Sequence, residues 1–565
     1  MYLALKNALG KSFILFRGLL NEFSGASAAY SFRNLNNAYA GPIVEVRRGI
    51  DTNTGTNERD FSIGDFNQVA DWVNGLQETT LPANVASSAA AYSLRKINSS
   101  YSGDVVRIRR ASDNVEVNVG FDSQDEVSAS SPITNTTEQG GESGSTTATT
   151  LGEFLTEGGN QDATVHTWYD QSGNAKDATQ DASGEQPKIA DSGNIVTRLG
   201  KTSIDFTTSK TFLENSSVSI TETEVSYFSV WQPAKDGATA TEAKNRTLFA
   251  ISSNGTFIQT PNTANQMQWK RFGTTNAFAL AVANLNTPNL HTAIGTSSGA
   301  NYYFNSSSIY SDSLTGSNTT RTSLRIGTRI LVDSHQTTGY ISEFLIYNSD
   351  QSSNRFRIES NINNYYGIYT AENNGFVSKW YDQSGNSNHA TQNTGDSQPK
   401  IVSAGSLTTQ GGKPCLDFDG VDDGLVTSDS YTTTGWGFAV YDPTSNTEAL
   451  VSNSKNLALT VGSKMRVGSS GNNEDFTLPN LNQQIGSFNF GSTAECFING
   501  VAISKDADET SPANSSKISI GFRDGDLTPS LFWSSTISEV ILYPTDQSAN
   551  RADIESNIDD YYDII

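Results

Sequence analysis

Two short segments of the chain place oxygen-bearing side chains at alternate positions. These side chains belong to Asp170, Ser172 and Asn174 in the first segment and to Asp382, Ser384 and Asn386 in the second. Calcium loops use this arrangement, because Ca²⁺ binds several oxygen ligands at about 2.4 Å. Neither segment has the distal bidentate glutamate of a full loop, so a tight turn is the alternative. In that turn Gly173 or Gly385 would adopt a positive φ, and Asp or Ser oxygens would accept hydrogen bonds from backbone amides.

Both segments belong to one longer repeat. The residues from Trp168 to Asn174 recur unchanged from Trp380 to Asn386, 212 positions later. A period this long indicates a duplicated domain rather than a solenoid of short units. The two tryptophans could stack on a sugar ring, but aromatic residues inside a duplicated motif are more typical of a hydrophobic core. The repeat also sets the register in which the two copies are compared.

A cluster of carboxylates occurs in the second copy alone. Its members are Asp417, Asp419, Asp422 and Asp423. The group could bind a cation, but a Gly-Val-Asp-Asp turn at the end of a strand accounts for the same residues. The first copy has the sequence Ile204-Asp205-Phe206-Thr207-Thr208 at this point and lacks the cluster. A ligand essential to the shared fold is therefore not expected here.

Short strands separated by turn residues dominate both copies. Asn499-Gly500, between two apolar runs, predicts a type I′ hairpin. Each copy ends in an apolar strand followed by a helix, and the first of these helices has one apolar face, formed by Ile358, Ile362 and Tyr365. We therefore predict a mainly β chain with two β-sandwiches, at residues 164–370 and 371–565.

A second repeat, with a displacement of 62 residues, precedes the first sandwich. Its copies, which we call lead modules, begin at Ala29-Tyr30-Ser31 and Ala91-Tyr92-Ser93, and each ends in a strand with paired arginines. A short helix before the strand is predicted from the helical spacing of Leu94, Ile97 and Tyr101. The N-terminal part then divides into a docking arm, a truncated helix–strand lead module without its own sandwich, and a second lead module with a Ser/Thr/Gly-rich loop, at residues 1–25, 26–85 and 86–163.

The order of these motifs resembles the catalytic domain of fungal arabinofuranosidase B, a concanavalin A-like, laminin G-like β-sandwich. The motifs are the Ala-Tyr-Ser start, the paired arginines, the segment from Tyr169 to Asn174 and the closing helix. The resemblance covers residues 86–370 as a complete domain, 371–565 as a domain without a lead module and 26–85 as a lead module alone. It implies two laminin G-like sandwiches in tandem. Similar mosaics, with an Ala-Tyr-Ser motif near the N-terminus, occur among predicted structural proteins of marine tailed phages.

The resemblance implies glycosidase activity only where the catalytic carboxylates are present. A retaining glycosidase needs two carboxyl groups about 5–5.5 Å apart. The family's acid aligns with Arg329 and Arg523, and arginine, with a pKa above about 12, does not exchange a proton near neutral pH. Asp333 and Asp524 are displaced from the aligned position. The strands that match the nucleophile, at residues 257–260 and 457–460, contain no carboxylate. We predict that the chain is not an enzyme.

Composition excludes other classes of function. The net charge of −23 argues against nucleic-acid binding, which needs Lys and Arg to displace phosphate counterions. No run approaches the roughly 20 apolar residues of a membrane span. The four histidines lack zinc-type spacing, so we predict no cofactor unless the segments described first bind calcium. The two cysteines, Cys415 and Cys496, could form a disulfide or remain buried thiols.

The sequence favours a non-enzymatic structural protein at a phage virion surface, such as a capsid decoration, fibre or tail adhesin. The chain has 17% charged residues and is rich in Ser, Thr, Asn and Gly, which is typical of β-rich extracellular or virion proteins. The N-terminal arm would bind other virion proteins, the sandwiches would contact host-surface glycan, and the assembly would be a homo-oligomer, by class a trimer. Tyr431 and Trp436, expected in exposed loops, are the predicted ligand contacts. The alternatives are a secreted or cell-surface carbohydrate-binding protein and an arabinofuranosidase-like glycoside hydrolase.

Overall fold

The fold is described from a computed structural model of the 565-residue chain. The structure describes residues 5–6, 12–13, 18–48, 58–76, 78–135, 145–208, 210–234, 246–252, 256–260, 266–271, 274–279, 287–313, 320–328, 339–371, 373–432, 435–443, 445–452, 458–461, 463–469, 472–490, 494–504, 515–523 and 529–565.

The chain forms two compact units in a nested order. Unit 1 contains residues 1–74 and 371–565, and unit 2 contains residues 75–370. The sequence of unit 2 is therefore inserted between the two parts of unit 1. This differs from the sequence prediction, in which residues 26–85 lacked a sandwich and residues 371–565 lacked a lead module. The two segments belong together, because strands of the first lead module pair with strands of the C-terminal segment.

Helices are short and few among the described residues. The α-helices span Leu19–Glu22, Val69–Val73, Pro82–Val85, Leu151–Thr156, Arg355–Tyr366 and Arg551–Tyr562, and the 3-10 helices span Ile63–Gln68, Ser183–Glu185 and Gly395–Ser397. The two 12-residue helices, Arg355–Tyr366 in unit 2 and Arg551–Tyr562 in unit 1, follow the last strand of each sandwich and are called the closing helices.

Strands make up most of the regular secondary structure among the described residues of both units. Those of unit 2 span Ala90–Ser93, Val106–Arg110, Glu116–Val119, Ile133–Asn135, Ala163–Trp168, Ala178–Thr179, Lys188–Asp191, Asn194–Ile195, Thr197–Arg198, Lys201–Thr202, Ile204–Asp205, Leu213–Asn215, Ile220–Thr221, Val225–Pro233, Arg246–Ile251, Phe257–Thr260, Gln266–Arg271, Thr274–Ala279, Asn289–Thr296, Gly299–Phe304, Ser307–Asp312, Thr320–Arg321, Leu324–Ile326 and Gly339–Tyr347. Those of unit 1 span Leu5–Lys6, Ser12–Phe13, Ala28–Ser31, Val44–Arg48, Glu58–Phe61, Gly375–Trp380, Ala390–Thr391, Lys400–Ser403, Ser406–Leu407, Thr409–Gln410, Lys413–Pro414, Leu416–Asp417, Leu425–Thr432, Trp436–Tyr441, Glu448–Ser452, Ala458–Val461, Lys464–Ser469, Asn472–Thr477, Gln484–Asn489, Glu495–Ile498, Val501–Ala502, Ser515–Ile520 and Thr536–Tyr543.

The central strand of unit 2, Val225–Pro233, lies between Asn289–Thr296 and Gly339–Tyr347 in an antiparallel sheet. Successive side chains of a strand point to opposite faces. Tyr227 therefore joins the core inside the sandwich, whereas Phe228 packs in the cluster that contains the closing helix. Because both faces of this strand are covered, it is apolar or uncharged along its length. The predicted mainly β fold, with sandwiches, is confirmed.

Unit 1 repeats this arrangement with its own residues. Its central strand, Trp436–Tyr441, lies between Gln484–Asn489 and Thr536–Tyr543. Tyr441 joins the core inside the sandwich and Phe438 packs with the closing helix. The type I′ hairpin predicted at Asn499-Gly500 is also present, with φ angles of 51° and 77° between two paired strands.

Each lead module begins with a strand, so the predicted helix–strand order is wrong in its first element. Ala90–Ser93 pairs with the last strand of unit 2 and Ala28–Ser31 pairs with the last strand of unit 1. Leu94 and Ile97 are buried in the loop that follows. A few apolar residues at helical spacing are a weak local signal, and backbone pairing along the edge of a sheet overrides it.

A buried ion pair joins each lead module to its sandwich. The Arg95 guanidinium donates to the Glu343 carboxylate at 2.8 Å, and Arg33 donates to Glu539 at the same distance. These carboxylates also accept hydrogen bonds from lead-module serines and from the closing helices, through the hydroxyls of Ser93, Ser31, Tyr366 and Tyr562. Lead module, last strand and closing helix are therefore held at one point.

The predicted docking arm belongs to unit 1. Leu19 and Leu20 are buried in the cluster formed with the closing helix. Docking of this arm, residues 1–25, to other proteins stays a prediction. In the second lead module, the Ser/Thr/Gly-rich loop contains the strand Ile133–Asn135, and residues 136–144 lie outside the described part.

The structure also describes the state of the two cysteines and the length of the helices. Cys415 and Cys496 are both buried free thiols, so the disulfide alternative is wrong. Burial raises the pKa of Cys415 to about 12, which keeps its thiol protonated at neutral pH. None of the helices in the described ranges has the length and apolarity needed to cross a membrane.

Candidate functional site

The repeated Asp-x-Ser-x-Asn segment forms the same hydrogen-bonded turn in both units. The carboxylate of Asp170 accepts hydrogen bonds at 2.6–3.0 Å from the backbone N–H groups of Ala91, Ser172 and Lys176 and from the Ser172 hydroxyl. Asp382 has equivalent donors at 2.7–3.0 Å, which are the N–H groups of Ala29, Ser384 and Asn388 and the Ser384 hydroxyl. Gly173 and Gly385 have φ angles of 89° and 94°, as the turn alternative requires.

These hydrogen bonds occupy the oxygens that a cation would need. Asp170 and Asp382 are only 3% and 1% exposed. The side-chain amides of Asn174 and Asn386 donate to lead-module carbonyls, of Ser88 and Ala26 respectively. The six predicted ligands are therefore brought together, but as a turn that ties the lead module to the sandwich. Calcium at this turn stays a prediction, and a bound ion would have to displace these donors.

A buried glutamine in the same repeat is a structural residue that the sequence did not single out. The Gln171 side chain accepts a hydrogen bond from the Ile97 N–H and donates to the carbonyls of Ser93 and Arg95. Gln383 makes the same contacts in unit 1, with Leu35, Ser31 and Arg33. Glutamine stands at this position in both copies of the repeat, and this was the sequence signal that could have identified it.

The acidic cluster of unit 1 forms a turn. Ligand atoms of Asp419, Asp422 and Asp423 lie within 4.8 Å of one another, and Asp417 is not part of this group. Asp423 accepts a hydrogen bond from the Asp419 N–H at 2.9 Å, and Asp419 accepts one from the Val421 N–H at 2.8 Å. Burial, together with the charges of Asp419 and Asp422, raises the pKa of Asp423 to about 7. The backbone hydrogen bonds account for the turn without a ligand.

The two predicted ligand-contact residues do not form a site. Trp436 is 1% exposed, its Nε1–H donates to Asp546 at 2.9 Å and its ring stacks on Phe438. The prediction that Trp436 lies in an exposed loop is therefore wrong, because this residue begins the central strand. The backbone of Tyr431 lies in the strand Leu425–Thr432, and its side chain lies outside the described part. All seven tryptophans are buried, so none of them presents a face for ligand stacking.

An open cleft at one end of unit 1 is a better candidate. Its volume is about 510 Å³. It is bounded by the hairpin after Thr409–Gln410, the end of the central strand, the segment before Gln484–Asn489 and the C-terminal end of the closing helix. We call it the amide cleft, and its lining residues are Gln410, Gly411, Asp442, Leu481, Asn482, Gln483, Tyr562, Asp563 and Ile564.

Polar groups in the amide cleft retain hydrogen-bonding capacity. Gln410 Nε2 lies 3.5 Å from Asp442 Oδ2, at the limit of a hydrogen bond, and burial raises the pKa of Asp442. Gln483 Nε2 is buried and has no acceptor among the described residues. The Oε1 atom of the same side chain lies close to Gly411. A Cβ atom built on that glycine would be only 2.9 Å from this oxygen. Leu481, which is 41% exposed, adds an apolar surface.

Unit 2 differs from unit 1 at this position. In the repeat register, Arg198 corresponds to Gln410 and Tyr340 corresponds to Thr536. The Arg198 guanidinium lies 3.3 Å from the centroid of the Tyr340 ring. This stacked pair takes the place of two shorter side chains in unit 1. A cleft of about 430 Å³ in unit 2 lies elsewhere and is lined by Thr221, Thr223, Glu224 and Asn348.

The described residues do not bring the family's catalytic pair together. The strand Phe257–Thr260, which matches the nucleophile strand, is buried, and Gln259 donates to Gln268 at 2.7 Å. Arg523 forms a backbone bridge with Ser530. The positions of Arg329, Asp333 and Asp524 lie outside the described residues. The absence of glycosidase activity remains a prediction.

Comparison with known proteins gives only distant structural similarity. No protein-family model and no curated protein sequence matches the chain. One similar structure is a glycoside hydrolase family 54 α-L-arabinofuranosidase soaked with a cyclic sulfate inhibitor, at 11% identity and a TM-score of 0.33, with 74% of this chain and 78% of that chain covered. Another is the binding domain of botulinum neurotoxin serotype D, at 11% identity and a TM-score of 0.26, with 66% and 94% covered.

A third similar structure is a heptameric SAP-like pentraxin from Limulus polyphemus, at 9% identity and a TM-score of 0.23, with 29% of this chain and 84% of that chain covered. Values this low carry no functional argument. The fold class rests on the strand pairing within each unit.

Proposed function

We propose that this chain is a non-enzymatic attachment protein at the surface of a phage virion, in which the amide cleft of unit 1 binds glycan. The proposed glycan binding rests on the presence of this cleft. The N-terminal arm, residues 1–25, would bind other virion proteins, and the assembly would be a homo-oligomer, by class a trimer. A secreted or cell-surface carbohydrate-binding protein is the alternative with the same site.

The chemistry of the cleft supports a sugar as ligand. Its volume of about 510 Å³ falls in the range typical of small-molecule sites, roughly 300–1,000 Å³. Sugar hydroxyls both donate and accept hydrogen bonds. Side-chain amides such as Asn482 and Gln483 do the same, and carboxylates accept, so the lining matches a hydroxyl-rich ligand. Leu481 and Ile564 can contact the apolar face of a sugar ring.

A glycoside hydrolase using the same cleft is the second candidate. The observation that favours it is the pair of carboxylates, Asp442 and Asp563, of which Asp442 has a raised pKa. A raised pKa suits a general acid. The argument against a glycoside hydrolase is that neither residue aligns with a catalytic position of the arabinofuranosidase family that the sequence resembles.

Glycan binding and virion association can be tested separately. Purified protein should bind members of a glycan array, and the variant Q410R/T536Y, which introduces the Arg–Tyr pair of unit 2, should lose that binding. An antibody to the chain should detect it in purified particles of the phage that encodes it. Array binding without particle association would support the secreted alternative. Release of sugar from bound glycans, abolished by Asp442→Asn, would overturn the non-enzymatic assignment.

A further inference from the structure

Resting on the proposed glycan binding, we propose that the amide cleft selects a sugar residue that carries a free amino group. The cleft carries two aspartates, whereas the matching positions of unit 2 are Gln232 and Gly367. Unit 2 is therefore not expected to bind this ligand.

The lining of the cleft is acidic without a matching cation. Asp442 and Asp563 are both lining residues, and Lys, Arg and His are absent from the nine residues that form the cleft. Among the described residues Asp442 accepts a hydrogen bond from Gln410, and Lys413, the strand partner of Gln410, has its ammonium over the Tyr561 ring. Asp442 is partly buried, so solvent screens its carboxylate less than that of Asp563, which is exposed at the rim of the cleft.

The acidic residues replace neutral residues of unit 2 one by one. In the repeat register, Asp442 replaces Gln232 at the end of the central strand. At the end of the closing helix, three aspartates replace two asparagines and a glycine: Asp559, Asp560 and Asp563 stand where unit 2 has Asn363, Asn364 and Gly367. Arg198 is replaced by Gln410. Every one of these five differences makes the cleft end of unit 1 more negative.

Asp563 is placed where the fold itself disfavours it. Its φ is 57°, in the left-handed region, where unit 2 has Gly367 with a φ of 62°. It also follows the C-terminal end of the closing helix, where the helix dipole favours a positive group. Both penalties are absent from unit 2, and a bound ammonium group would offset the electrostatic one.

An amino sugar satisfies the whole lining. Its ammonium group would lie between the carboxylates of Asp442 and Asp563. Its ring hydroxyls would bind the amides of Gln410, Asn482 and Gln483, including the Gln483 Nε2 that lacks an acceptor among the described residues. A neutral sugar could donate hydroxyl hydrogen bonds to the carboxylates but would leave their negative charge uncompensated, and an anionic sugar would be repelled.

Two tetrasaccharides of one backbone provide the test. Titration calorimetry of the full chain at pH 6 would compare the glucosamine tetramer with the N-acetylglucosamine tetramer, which has the same skeleton without the charge. We expect the glucosamine tetramer to bind about tenfold more tightly, as for one hydrogen bond between charged groups. The variant D442N/D563N should remove that difference. The variant D553N neutralises an exposed residue in the first turn of the same helix and should leave it intact.

Each other outcome is decisive. Equal binding of both tetramers, unchanged in D442N/D563N, would overturn the amino preference and leave glycan binding standing. Array binding that survives Q410R/T536Y, with neither tetramer bound, would place the glycan site elsewhere and overturn the inference. A chain that binds no glycan in any assay would overturn the inference and the proposed glycan binding together. Saturation of the cleft by Ca²⁺ alone, lost in D442N/D563N, would identify a metal ion in place of the amine and overturn the inference.

Discussion

The two units make the same contacts with different chain connectivity. In unit 2, Arg95 and Glu343 are 248 residues apart, whereas in unit 1 Arg33 and Glu539 are 506 residues apart. The entropy of loop closure grows only as the logarithm of loop length, so a doubling costs about 0.6 kcal/mol. Insertion of a whole unit is therefore compatible with an unchanged sandwich. Each lead module is an integral part of its sandwich rather than an attached piece, because its first strand pairs with the last strand of that sandwich.

Separating the two segments of unit 1 should have the largest effect on its stability. Residues 75–370 alone should unfold cooperatively, whereas residues 371–565 alone should show no cooperative transition. The C-terminal segment would lack the lead-module strands Ala28–Ser31 and Val44–Arg48, and the strands that pair with them would be exposed. Joining residues 18–74 directly to 371–565 should restore the transition. Circular dichroism on heating measures all three, and cooperative unfolding of 371–565 alone would contradict the integral role of the lead module.

Removing one partner of the buried ion pair should have the next largest effect. Arg33→Met and Arg95→Met should each lower the free energy of unfolding of their own unit by about 3–5 kcal/mol, because an unpaired carboxylate remains buried. Urea denaturation measures the loss. Arg466→Met is the matched control, since its pair with Asp475 is 32% and 22% exposed and is worth about 0–1 kcal/mol. Losses as small as the control in both units would show that these pairs do not hold the lead modules.

The parts of the fold that the sequence predicted are those encoded by local or repeated patterns. The duplication, the sandwiches and the Asn499-Gly500 hairpin follow from strand periodicity, turn residues and the constant displacement of 212 residues. The assignment of lead modules to sandwiches did not follow. Both lead modules carry the same Ala-Tyr-Ser motif, and the simplest assignment pairs each with what comes next in the chain, so the nested order was not predicted.

The candidate site could not be predicted from the sequence, because its residues are far apart in the chain. The lining of the amide cleft comes from four separate segments that only the fold brings together. Trp436 was misassigned because a tryptophan beside turn-type residues resembles a loop residue, although it begins a strand covered on both faces. The substitution of Asp563 for the helix-ending Gly367 of unit 2 was visible in the sequence, but its importance depends on the cleft beside it.

The turn of the repeat should contribute equally to both units and independently of calcium. Asp170→Asn and Asp382→Asn should each lower the free energy of unfolding by about 1–3 kcal/mol, because an amide NH₂ would face backbone N–H donors. The melting temperature of the unaltered chain should not change on addition of Ca²⁺ or of a chelator. A rise with Ca²⁺ that disappears in both variants would establish the calcium site instead.

The acidic turn should make the two units differ in their response to pH. The pKa of Asp423, about 7, lies above the ordinary value of an aspartate, so the folded state binds this proton more tightly than the unfolded chain does. Its contribution to stability is present below about pH 4 and is lost as the pH rises through about 7. Unit 2 has Thr211 at this position.

Asp423→Thr should therefore stabilise unit 1 by roughly 1–2 kcal/mol more at pH 8 than at pH 4, because the replaced carboxylate is only 3% exposed and its ionised form is disfavoured there. Urea denaturation at both pH values measures the difference, with unit 2 in the same molecule as internal control. An equal effect at pH 4 and pH 8 would assign the change to packing and not to ionisation.

Replacement of Asp563 should have the smallest effect on the free energy of unfolding, but it bears most directly on the amide cleft. Asp563→Gly should raise the free energy of unfolding of unit 1 by about 0.5–1 kcal/mol, because glycine tolerates the left-handed conformation and removes a negative charge from the helix C-terminus. The reciprocal change, Gly367→Asp, should lower the stability of unit 2 by a similar amount. If Asp563→Gly also weakens binding of the glucosamine tetramer, stability and binding oppose each other at this residue, as expected where a binding group occupies a position that the fold disfavours. A loss of stability in Asp563→Gly would instead show that Asp563 supports the fold, and the difference from unit 2 would then have a structural cause.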